Sequence, residues 1–221
     1  MAYVVTPKYF SRDPAFDFEP KWQSELDLPT KETTSYLVNH GLRVPPERFP
    51  KKAILVSSHK IKNDVVIAGI SKWAISERVR AIWDKFAPGL IEYLPVEVVR
   101  KNGEPINEHR YCYTNILNRV QTICWDGVEW TSVEPKTGYR YVDLPHEWAL
   151  GKQKLGIKLD RSGHTDIHIW HEDNADHMSS WVFMSDELAD AMRAADITNL
   201  KYEHIEEDLC LPNLAMPSQG C

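Results

Sequence analysis

The chain has no apolar stretch approaching the roughly 18 residues that a membrane-spanning helix requires, so a helical membrane protein is excluded. Cysteine is scarce. The four present, Cys112, Cys124, Cys210 and Cys221, show no C-x-x-C spacing, which leaves no visible metal ribbon or dithiol redox motif. Between Met1 and Arg12 no charged start leads into an apolar run and a small-residue cleavage site, so these residues do not read as a signal peptide. The cytoplasm is the expected location, with Cys112 and Cys124 reduced. Cys124 is then expected to pack as a small apolar residue near the Asp126-Gly127 turn. Also missing are a P-loop, a G-x-G-x-x-G fingerprint, a G-x-S-x-G elbow and a cysteine flanked as a protease nucleophile would be. A triad assembled only in space stays open. Glu77, Glu92, Glu97, Asp186 and Glu187 could be paired as acid and base, but at helix starts and on strand faces they read first as caps and solvated charges. No catalytic residue is assigned.

A basic excess is lacking too: 26 Lys and Arg stand against 32 Asp and Glu, a net charge of −6. That balance disfavours nucleic acid as the main partner and favours a basic one. What the chain does have is ordinary globular composition, 43% hydrophobic and 26% charged, over 221 residues. It can bury a core without metal or disulfide staples. Eight Trp and nine Tyr add amphipathic bulk suited to cores and interfaces alike.

Hydrophobic periodicity then divides the chain. Tyr3-Val4-Val5 is a first strand signal, and Pro7 to Pro29 reads as ordered loop or short helix. Ala53 to Ser57 and Val65 to Ile70 are further strands, the second an apolar run suited to full burial. Ser76 opens a helix in which Val79, Ile82, Trp83 and Phe86 form one stripe, ended by Pro88-Gly89. Ile91 to Val99 follows as a strand before an Asn102-Gly103 turn. Tyr111 to Val120 fits neither period cleanly. Asp126-Gly127 is a hairpin turn, Tyr139 to Leu144 a candidate strand, and Leu155, Ile157 and Leu159 alternate with polar residues. A turn through Ser162-Gly163 reverses the chain into Ile167 and Ile169.

The last third repeats the helix-to-strand pattern. Ser185 caps a helix with Leu188, Ala191, Met192 and Ala195 on one face, and Leu200, Tyr202 and Ile205 follow as a strand. Ser76 and Ser185, Tyr93 and Tyr202, and Val96 and Ile205 all stand 109 residues apart. Two pseudo-repeated lobes would produce that register, although capped helices preceding strands are common in unrelated proteins. The expected fold is α+β, a mixed or antiparallel sheet with two capped amphipathic helices. Residues 1–60 are expected as an N-terminal variable region packed on a main domain of residues 61–207, with residues 208–221 as a mobile tail.

Ligand-type residues crowd between Asp160 and His177, including His164, His168, His171 and His177. A metal-dependent enzyme using this His164–His177 cluster is one alternative. The spacing matches no helix-borne H-E-x-x-H, finger or EF-hand pattern, so no metal or other cofactor is assigned. Strand alternation puts Asp166, His168 and Trp170 on one outward face, opposite Ile167 and Ile169. Glu172, Asp173 and Asp176 would add negative charge beside it. These six residues are the candidate partner-binding site, with Trp170 as anchor unless it packs under the preceding hairpin.

Ile75-Ser76-Glu77-Arg78-Val79-Arg80, Ile91-Glu92-Tyr93-Leu94-Pro95-Val96, Tyr111 to Asn118, Leu159-Asp160 with Ile167-His168-Ile169-Trp170, and Met184-Ser185-Asp186-Glu187-Leu188 occur in one order and spacing. Over about Val65 to Ile205 this set resembles a family of bacterial immunity proteins of polymorphic toxin systems. The resemblance implies a protein encoded beside a toxin, often nuclease-type, which it neutralises by direct binding. It implies no catalytic residue. The chain departs from the family's aromatic-Arg pattern at Trp170-His171, and its first sixty residues match less well. A non-toxin interaction module would carry similar composition.

Overall fold

The computed structural model describes residues 2–7, 15–18, 34–55, 63–68, 72–106, 110–124, 132–133, 140–141, 157–160, 162, 166–172 and 181–208. In the first lobe, β2 (Ala15–Phe18), β3 (Lys52–Leu55), β4 (Val65–Ala68), β5 (Lys72–Ser76), β6 (Ile91–Val99) and β7 (Tyr111–Ile116) close a barrel in the order β2-β3-β6-β7-β5-β4. Closure removes the sheet edges. In the second lobe, β8 (Arg119–Val120), β11 (Lys158–Asp160), β12 (Ile169–Glu172), β13 (Val182–Ser185) and β14 (Leu200–Asp208) join β1 (Ala2–Pro7) in the order β11-β14-β1-β13-β12-β8. A bridge between Ile123 and Leu159 brings the two ends of this sheet together. β9 (Ser132–Val133) and β10 (Arg140–Tyr141) form a separate two-stranded pair.

The fold is therefore α+β. Besides the short α1 (Thr34–Asn39), each lobe carries one amphipathic helix, α2 (Glu77–Phe86) in the first and α3 (Asp186–Ala194) in the second. Val79 and Trp83 of α2 and Leu188 and Met192 of α3 are fully buried, as the stripes require.

Strand pairing is alike in the two lobes at several positions. Ser76 pairs with Tyr111 and Ile91 with Ile116, while Ser185 pairs with Ala2 and Leu200 with Pro7. Every one of those eight positions has its counterpart 109 residues away. β3 runs parallel to β6 as β11 runs parallel to β14, with Glu97 and Glu206 again at equivalent places. β2 pairs with β4 as β8 pairs with β12: Ala15 faces Ile67, and Arg119 faces His171, a shift of 104 residues on both strands. β1 thus occupies in the second lobe the place of β7 in the first. Residues 1–60, expected as a region packed on the main domain, supply this strand to one lobe and β2 and β3 to the other.

Period-two alternation sorts the side chains into three cores. Tyr111 and Tyr113 of β7 point into the first barrel with Leu94, Val96 and Val98. Cys112 and Ile116 point the other way, into a core shared by both lobes with Trp83, Ile169, Met184, Leu188 and Met192. Trp170, Phe183, Val4 and Ile205 fill the second lobe. All six residues of β7 are buried because both its faces are covered, which is why that segment fits no amphipathic period.

Four sequence expectations are corrected. The Pro7 to Pro29 stretch contains a strand, β2, whose four residues are too few to set a period against the surrounding prolines. The Ser76 hydroxyl does not cap α2: it donates to Asp64 Oδ1 at 2.8 Å and accepts no helix N–H. Ser185 does cap, accepting from the Leu188 N–H at 3.3 Å. Cys124 is disulfide-bonded and not a reduced apolar residue, its partner lying outside the described residues. Pairing over a long sequence separation leaves no local spacing signal. The Trp170 position, the fourth, is taken up with the site. The Asp126-Gly127 hairpin, Gly163, His164, Asp173, Asp176, His177 and residues 209–221 lie outside the described residues.

Candidate functional site

Of the six residues read as a partner-binding face, the structure describes four and does not keep them on one surface. Asp166 is exposed. His168 is 35% exposed at the junction of the lobes, its ring edge-on to Phe86 of α2 at 5.2 Å. Trp170, by contrast, is completely buried, stacked on Phe183 with centroids 5.6 Å apart. Its indole N–H donates to Thr122 Oγ1 at 3.1 Å, and that hydroxyl donates to the Glu172 carboxylate at 2.9 Å. The Thr122 N–H donates to the same carboxylate at 2.9 Å. An outward face for Trp170 is therefore wrong. Alternation assumes one wet face per strand, and β12 has none, since Ile169 enters the shared core and Trp170 the second lobe's interior.

The Trp170, Thr122 and Glu172 network has a structural task. It anchors the segment after β8 where Cys124 N–H donates to Lys158 C=O and Asp160 N–H to Thr122 C=O, closing the curled sheet. His171 is used likewise, its Nδ1 2.6 Å from the Trp181 carbonyl. The described members of the His-rich stretch thus serve separate structural bonds. Among the described residues, no three His, Cys, Asp or Glu side chains are placed to share a metal ion.

His168 marks a junction whose other half the sequence did not reveal. Its equivalent in the first lobe is Asp64, 104 residues earlier; the backbone carbonyl of each accepts from its N-cap serine, at 2.8 Å for Asp64 and Ser76 and 3.0 Å for His168 and Ser185. Asp64 is buried, accepting from Ser76, from Arg78 at 3.2 Å, and from the N–H and hydroxyl of Thr198, each at 3.1 Å. Arg78 also donates to the Ala195 carbonyl, and Asn199 Nδ2 to the Val65 carbonyl at 2.8 Å. These bonds tie the lobes together. On the opposite side His168 sits 2.9 Å from Ser185 Oγ and 4.0 Å from Glu187. The partners are exchanged: acid and Arg on one side, imidazole and acid on the other. The Glu187 carboxyl is held below its ordinary range by its own backbone N–H and the Ser185 hydroxyl, with His168 adding to the effect.

A further cluster that the sequence reading missed lies on the second lobe. Arg193 of α3 places its guanidinium 4.3 Å from the Tyr3 ring and 4.6 Å from the Tyr202 ring. Tyr3 also meets Tyr202 and His204 edge-on, at 6.4 and 5.4 Å. Tyr3 and Tyr202 are half-buried, and Arg193 and His204 exposed. No sequence signal could assemble a cluster whose members are separated by nearly the whole chain.

The family model described as "Immunity protein family (Imm11)" matches residues 5–207. The chain belongs to this immunity protein family. The match runs from the second half of β1 to β14 and so takes in both lobes. No curated protein matches the chain. Among the described residues, no helix of this family member is long and apolar enough to cross a membrane.

Proposed function

We propose that the chain is an immunity protein that binds and neutralises a cognate toxin by direct protein–protein contact, the toxin being of a nucleic-acid-cutting type. The single observation that carries the reading is the family match over residues 5–207. The net charge of −6 supports the nuclease class, because a protein that grips phosphates presents basic surface, and opposite charge speeds capture. Of the six candidate residues, Asp166 and His168 are the described ones that a partner can reach. Trp170 and Glu172 would act only by holding the second lobe in shape.

Co-expression with the toxin domain of the adjacent gene is the direct test. Cells carrying the toxin alone should stop growing, cells carrying both should grow, and the two proteins should purify as a stoichiometric complex. Continued arrest, or separate elution, would end the toxin reading. The same reading puts the protein in the producer's cytoplasm, where disulfides are rare. Non-reducing mass measurement of protein from that compartment checks the placement against the Cys124 disulfide.

A further inference from the structure

We infer that the face formed by Tyr3, Tyr202, His204 and Arg193 is the surface on which a basic partner docks, and this rests on the toxin-binding reading above. Residues 1–117 hold 17 Lys and Arg against 14 Asp and Glu, whereas residues 118–221 hold 9 against 18. The modest acidity of the whole therefore hides a neutral-to-basic first half and a strongly acidic second. A basic protein surface approaching this molecule is drawn to the second lobe. There Glu187, Asp190 and Glu206 are exposed on α3 and β14, within the same lobe as the aromatic face.

Interfaces draw most of their binding energy from a few Tyr, Trp and Arg side chains inside a polar rim. Arg193 is held between two rings, and Asp190 at 2.7 Å answers its charge. So ordered, the side chain loses little freedom when a partner covers it.

The other lobe serves as an internal control. There Tyr93 meets Arg80 at 4.7 Å, and Arg80 pairs with Asp84 at 3.5 Å. The counterpart of Tyr3 is the buried Cys112, and that of His204 is Pro95. At the described equivalent positions the first lobe thus lacks the extended aromatic face that the acidic second lobe carries.

The probe is the toxin domain of the adjacent gene with its active site disabled, titrated against the full chain and its variants. Arg193→Ala and His204→Ala should each weaken binding at least tenfold with unchanged melting temperature. The double reversal Asp190→Lys with Glu206→Lys should slow association and flatten its salt dependence. Arg80→Ala on the first lobe should bind as wild type. Wild-type binding that survives Arg193→Ala and His204→Ala within threefold would overturn the face while leaving the toxin reading intact. So would loss of binding in Arg80→Ala alone, or a wild-type dimer in sedimentation that Arg193→Ala dissolves. Absence of wild-type binding would instead remove the toxin reading itself.

Discussion

The two lobes share one strand order and one register but are completed differently. The first is built from a continuous run of chain, β2 to β7, whereas the second is finished by β1 from the far end. Its central strand is therefore non-local: β1 lies between β13 and β14, antiparallel to both. Loop-closure entropy delays such pairing until the rest of the lobe is in place. One topology can thus hide two assembly orders, and the second lobe should be the fragile one.

Deleting residues 2–7 tests this most severely. Ala2, Val4 and Val5 are essentially fully buried, and their loss would bare the edges of β13 and β14 to aggregation. The expected outcome is a protein without a cooperative thermal transition. A permutant carrying residues 1–12 after residue 221, through a flexible linker, should recover the transition, since β1 would then follow β14 as β7 follows β6. A permutant that stays unfolded would break the equivalence of β1 and β7.

A smaller effect sharpens the comparison at the tryptophans. Trp83→Ala and Trp170→Ala each empty a fully buried site and should cost about 3–5 kcal/mol in denaturant unfolding. Trp83 lies in the core shared by both lobes and Trp170 in the second lobe alone. Trp83→Ala should therefore lower the whole transition, and Trp170→Ala should first expose amides of β12 and β13 to hydrogen exchange. Identical exchange patterns would mean that the lobes do not open separately.

Much of this was legible in the sequence, for reasons that name its limits. Helices α2 and α3 were readable because each buries one stripe and shows water the other, so Val79 and Trp83, or Leu188 and Met192, recur at helical spacing. The offset between Ser76 and Ser185 was readable because both end a strand and start a helix. Trp170 was not, because a strand covered on both faces has no polar phase to mark its orientation. Nor were the partnerships of Ser76 with Asp64 or of Tyr3 with Arg193, which depend on packing between distant segments. Within the candidate site, the polar residues that sequence grouped together were divided by the strand start at Ile169, leaving Asp166 and His168 accessible and Glu172 enclosed.

The smallest expected difference lies between Asp64 and its counterpart His168. Removing the Asp64 carboxylate takes away the acceptor of the buried Ser76 hydroxyl, of Arg78 and of the Thr198 N–H and hydroxyl, and hydrogen bonds to a buried charge are worth about 1.5–3 kcal/mol. Asp64→Ala should therefore cost on the order of 2–3 kcal/mol. His168→Ala removes one bond to Ser185 and a partly exposed ring contact, and should cost below about 1 kcal/mol. Glu187, on the second side, carries a pH signature. Glu187 has its folded-state value depressed below 4.5, so the stability it contributes is present above that value and is lost as pH falls through the folded value. Because its side chain is 69% exposed, solvent screening holds that contribution below about 1 kcal/mol. Glu187→Gln should accordingly lower the melting temperature slightly at neutral pH and make no difference in strong acid. Equal losses at both pH values would assign Glu187 a packing role and leave the exchanged partners of the two junctions without an energetic consequence.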